Sequence, residues 1–124
     1  MDPGALANLR RFVDTSRAEV VDERATGGEV IKIPIHSSMT QPQLALSMVA
    51  DNLAQFMEEI TGRGYRKAEE VYDIGYTVRE PGHQAYGLKV LIEQGCVIVS
   101  RVAILEDETA FRRYVHYLRT GMII

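Results

Sequence analysis

Residues 85–105 limit what this chain can fold into more than any other stretch. Tyr86, Leu88, Val90 and Ile92 recur at every second position, with Gly87, Lys89 and Glu93 mostly facing away. A tight turn follows at Glu93-Gln94-Gly95. Beyond it, Val97, Ile98, Val99, Val102, Ala103, Ile104 and Leu105 leave only Ser100 and Arg101 polar. Period-two patterning beside a β-branched run predicts a hairpin at the middle of a sheet. The second strand is apolar on both sides, so both faces should be covered, by helices or by a partner subunit.

The flanking elements are read outward from that hairpin. Asp2-Pro3 predicts a helix start, Asp2 as the cap and Pro3 at the first helical position, followed by a stripe of Leu6, Leu9, Phe12 and Val13. A hairpin is expected at about 18–35, with Ile31, Ile33 and Ile35 on one face. Pro34 cannot donate to a ladder, which places it at an edge or at a strand's end. Leu46, Val49, Ala50, Leu53, Met57 and Ile60 predict a long helix over about 41–61, capped by Thr40, Ser38 or Gln41, with Asp51, Gln55, Glu58 and Glu59 outward. Ala45, Met48 and Phe56 widen its apolar arc, which fits either a deeply buried helix or a dimer seam. Gly62 has C-cap chemistry. Residues 70–78 read as a strand with Tyr72, Ile74, Tyr76 and Val78 inward, and Pro81-Gly82 turns the chain. A last helix buries Phe111, Tyr114, Val115 and Leu118, exposes Arg112, Arg113, His116 and Arg119, and ends at Gly121.

The predicted order is α-β-β-α-β-β-β-α. This is one α+β domain over residues 1–124, with an antiparallel sheet built on a three-strand meander at about 70–105 and packed against the helices. At 124 residues, with 46% hydrophobic and 25% charged side chains, the chain can bury a core without staples. A net charge of −3 argues against nucleic acid as a partner, because phosphate neutralisation needs a basic excess. Cys96 is the only cysteine, which excludes an intrachain disulfide and a four-cysteine zinc site. No secretory signal and no membrane-spanning run is read, so a cytoplasmic setting is expected.

This order of elements resembles that of the roadblock dynein-light-chain family, small homodimeric scaffolds that bring regulators together. The likeness is one of element order and covers nearly the whole chain. It implies dimerisation through the long helix and an adjoining strand. From Thr40 to Arg119 the layout is also similar to the helix, three strands and helix of double-stranded-RNA-binding domains. In that family a Gly-Pro-x-His loop reaches a minor groove; here Pro81-Gly82-His83 stands in its place with altered spacing. Where that family holds phosphates with lysines, this chain has Asp107 and Glu108, which repel them, and Arg112 and Arg113 come a turn later.

Candidate chemistry falls in three places. His36, Ser37, Ser38 and Thr40 lie between a strand and a helix start, where free N–H groups and hydroxyls can hold an anion or simply cap the helix. Arg79, Glu80 and His83 gather at a turn, where a histidine beside a carboxylate can act as a base or be merely solvated. Arg112, Arg113, His116, Tyr117 and Arg119 form a basic-aromatic helix face that suits a protein partner with an acidic surface. The three histidines are far apart in sequence, Cys96 reads as an inert strand thiol, and neither a metal nor a cofactor is expected. The reading is a non-catalytic adaptor or regulatory protein, homodimeric, acting by protein–protein interaction. Its rival is a small-molecule-binding protein or small enzyme with a pocket near His36, Ser38 and His83.

Overall fold

The computed structural model describes residues 1–23, 28–38, 40–69, 75–82, 88–101 and 109–124. Among them the elements are α1 (Pro3–Leu9), β1 (Glu19–Glu23), β2 (Gly28–Pro34), α2 (Pro42–Thr61), β3 (Arg66–Glu69), β4 (Gly75–Arg79), β5 (Leu88–Glu93), β6 (Cys96–Arg101) and α3 (Ala110–Thr120). The six strands form one antiparallel sheet in the order β1-β2-β6-β5-β4-β3. The fold is α+β, as the patterning predicts.

The hairpin expected around Gln94 occupies the two central places of that sheet. β5 and β6 pair from Leu88↔Arg101 to Glu93↔Cys96, leaving Gln94 and Gly95 as a two-residue turn. Both turn residues have positive φ, 52° and 76°, the arrangement whose twist matches the flanking strands. Gln94 is exposed and carries a Cβ in a conformation that glutamine tolerates less well than asparagine. Gln94→Asn is therefore expected to stabilise the fold by about 0.5–1 kcal/mol. A urea midpoint unchanged or lowered in that variant would contradict the turn geometry.

All three helices gather on one face of the sheet. α2 lies over β3, β4, β5 and β6, while α3 meets β1, β2 and α2. Ile31, Ile33, Val78, Leu88, Val90, Val97 and Val99 point into this layer and meet Leu46, Val49, Leu53, Phe56 and Met57 of α2 and Phe111, Tyr114 and Leu118 of α3. On the opposite face Val30 and Ile98 are also buried, only 1% and 2% exposed. Ile98 stands in register between Lys32 and Leu91. Of the cover expected on both faces, by helices or by a partner subunit, the described helices supply one face.

Local chemistry explains the ends. Asp2 Oδ1 accepts the Gly4 N–H at 2.9 Å and Pro3 opens α1, as the sequence predicts. The helix stops at Leu9, however, so Phe12 and Val13 are not helical. Val13 instead bridges to Ile35, and the Asp14 N–H donates to the Pro34 carbonyl at 2.8 Å. Pro34 is the last residue of β2, and beyond it the Ile35 N–H donates to Gly95 O at 2.9 Å. Gln41 rather than Thr40 occupies the N-cap position of α2, without a side-chain capping hydrogen bond, Pro42 is its first residue, and Gly62 and Gly121 end α2 and α3 in the left-handed region.

The meander has one strand more than the sequence suggests. β3 escapes period-two reading because Lys67 takes an inward place. Its Nζ donates to Ser47 Oγ at 2.7 Å and Asp51 Oδ2 at 3.0 Å on α2, and lies 5.2 Å from the centre of the Tyr76 ring. Of the strand expected at residues 70–78, the described part is Gly75–Arg79, and residues 70–74, with Tyr72 and Ile74, lie outside the described residues. So do Tyr86 and residues 102–108, which include Val102 to Leu105 and both Asp107 and Glu108.

Candidate functional site at the β1–α3 rim

Of the residues expected to line a ligand pocket, His36 and Arg79 stand at opposite ends of the sheet. In the sheet register Pro34 stands opposite Cys96 at one end, while Leu88 stands opposite Arg101 and Val78 at the other. β6 alone separates those ends by roughly 17 Å at the usual rise per residue. His36 follows β2 at the first end and Arg79 closes β4 at the second, so the two are not neighbours. His36 is engaged structurally. Its backbone N–H donates to Phe12 O at 3.1 Å, and its ring Nε2 lies 2.9 Å from Arg10 O. A carbonyl only accepts, so Nε2 carries a proton there. Ser37, Ser38 and Thr40 are exposed. Arg79 is half-buried, and His83 lies outside the described residues.

The dimer-seam residues are largely consumed by the protomer's own core. Ala45 and Phe56 are fully buried, and Met48 is half-buried, lining a small recess with Leu9, Asn52 and Gln55. Phe56 packs against Tyr114 at 5.0 Å and Tyr117 at 5.6 Å between ring centres. This corrects the placement of Tyr117 on an exposed face: it is 3% exposed and part of an aromatic cluster. The cluster is closed by a residue that sequence patterning does not single out. Asn52 Oδ1 accepts from the Tyr114 hydroxyl at 2.8 Å, and its Nδ2 donates to the Tyr117 hydroxyl at 3.4 Å. One amide thereby satisfies two buried hydroxyls, and burial holds the Tyr114 phenol well above the usual tyrosine range. The available signal is spacing, since Asn52 lies three residues after Val49 and four before Phe56.

The remaining charged residues of α3 stand at an open rim. Between α3 and β1 runs a groove of about 680 Å³ lined by Glu19, Val20, Val21, Asp22, Glu29, Arg112, Val115 and Arg119. Arg112 Nη2 meets Glu29 Oε2 at 2.9 Å, Arg119 Nε donates to Ala18 O at 2.7 Å, and Arg113 Nε donates to Ile124 O at 2.7 Å. The arginines are therefore tied into the protomer itself, and His116 is half-buried beside them. Asp22 pairs in register with Glu29, which sets two carboxylates side by side on the same sheet face. Arg112 answers one of them; Asp22 has no ion pair among the described residues. Like charges directly opposite are unfavourable.

Among the described residues no three His, Cys, Asp or Glu side chains gather as metal ligands would, and no helix is long and apolar enough to cross a membrane. Comparison with known proteins finds no matching family model, no matching curated protein and no matching solved structure.

Proposed function

We propose that this chain is a non-catalytic protein-interaction module whose contact surface is the rim formed by β1 and α3. The observation that carries this reading is the groove itself. An edge strand and a helix flank Val20 and Val115, bordered by charged side chains. That composition, apolar at the centre and polar at the border, is the anatomy of protein contact sites. With Arg112 set against Glu29, the groove keeps Glu19 and Asp22 against the single cation of Arg119, a net negative charge, so the partner brings positive charge to this place.

The test is site-specific photo-crosslinking in lysate of the native host. A photoreactive residue at Glu19 or Arg112 is expected to capture one and the same protein, while one at Arg66, on the opposite edge strand, captures none. Capture from Arg66 alone would place the contact elsewhere and overturn the reading.

A further inference from the structure

We infer that the occupant of this rim is an extended segment of a partner protein, carrying basic side chains, that adds to β1 as a seventh strand. The inference rests on the interaction reading above and names the mode of recognition. β1 is the terminal strand of the sheet, so its ladder with β2 occupies only one of its two sides. Strand addition uses the other side, with backbone hydrogen bonds providing affinity and side-chain recesses providing selection.

A strand laid along an edge sends alternate side chains to opposite faces of the sheet, so it needs room on both. β1 has it. The larger groove lies on the helix side, where Val20 and Asp22 point with Glu29. On the other face, that of Val21 and Glu23, a recess of about 330 Å³ opens at the start of β1, where Glu19 is its one β1 residue; Arg17, Lys32, Pro34, Cys96 and Arg119 complete its lining. The two share Glu19 and Arg119 and so adjoin at the start of β1.

Charge selects the occupant. β1 reads Glu-Val-Val-Asp-Glu. Glu23 is answered by Lys32 at 2.9 Å, whereas Glu19 and Asp22 have no ion pair among the described residues. A lysine or arginine entering beside Asp22 and Glu29 would relieve the carboxylate pair that Arg112 only half compensates. A second copy of this chain fits poorly, because antiparallel pairing of β1 with itself about Val21 sets Glu19 against Glu23 at both ends.

The experiment is selection of short random peptides displayed against the whole protein, followed by binding measurements on synthetic versions. Enriched peptides are expected to alternate apolar with Lys or Arg residues. Methylation of alternate backbone amides in the best peptide should weaken its binding at least tenfold. Asp22→Lys should weaken it at least tenfold as well, and should turn the selection toward Asp and Glu. Acidic or featureless selections, binding that survives amide methylation, or a dimer of this chain that Val21→Lys dissociates would each overturn strand addition. Crosslinking at Glu19 and Arg112 reports separately on the interaction reading: if it persists while peptide selection fails, the rim binds a partner in another way.

Discussion

Phe56→Ala is expected to remove about 3–5 kcal/mol of folding stability, the usual cost of deleting a large aromatic side chain from a packed core. In a domain of this size that lowers Tm by roughly 10–20 °C. The cost has three sources: the void itself, the lost edges and faces of Tyr114 and Tyr117, and the looser setting of the Asn52 amide between their hydroxyls. Phe56→Leu should recover more than half of the loss by filling most of the void. The same experiment separates core from seam. A core residue lowers Tm equally at every protein concentration, whereas for a seam residue the parent's Tm would fall on dilution and Phe56→Ala would weaken that dependence. Thermal scans of the parent and both variants over a wide range of protein concentration decide the matter, and a parent Tm that falls on dilution, with the fall lost in Phe56→Ala, would restore the seam.

The second large effect belongs to Gly75. It sits opposite Leu91 in the β4–β5 ladder, and a Cβ built there would lie 2.7 Å from the Val90 carbonyl oxygen and 2.5 Å from Leu91 Cδ2. The leucine methyl can swing away; the carbonyl belongs to a central ladder and cannot. Gly75→Ala should therefore cost about 2–3 kcal/mol, overpacking strain outweighing the stiffer unfolded chain. Urea unfolding of Gly75→Ala, Leu91→Ala and the double variant supplies the check. Because Leu91 accounts for only part of the strain, the double variant should lose less than the two singles together while staying below the parent. A neutral Gly75→Ala would mean that the two strands have room to part.

How much of this fold is legible in the sequence depends on whether side chains obey simple periodicity. The central hairpin is plain because Leu88, Val90, Val97 and Val99 alternate cleanly and Gln94-Gly95 supplies a tight turn. The long helix is plain for the same reason, at the helical period. β3 is not, since Lys67 occupies an inward place by sending its ammonium to α2, and an inward charge looks outward in a string of letters. Tyr117 is easily misplaced because its arginine neighbours suggest solvent, while its ring completes a stack on Phe56. The scatter of His36 and Arg79 follows from strand register, which one sequence does not state. The rim is half visible: Arg112 and Arg119 stand out along the helix, but their partners across the fold do not. Glu29, far away in sequence, decides the sign of the charge that a visitor meets.

The ladder between β2 and β6 joins residues 30–34 to residues 96–100, so the chain between them forms one long loop. The strands from β3 to β6 follow one another as near neighbours and need no such closure. Loop-closure entropy opposes distant pairings until enough of their partners are in place. Topology therefore leads to the expectation that the meander under α2 forms first and offers β6 as an open template, on which the N-terminal hairpin is the last strand pair to settle. Until it does, β6 would present an unpaired edge, a template on which another chain can pair.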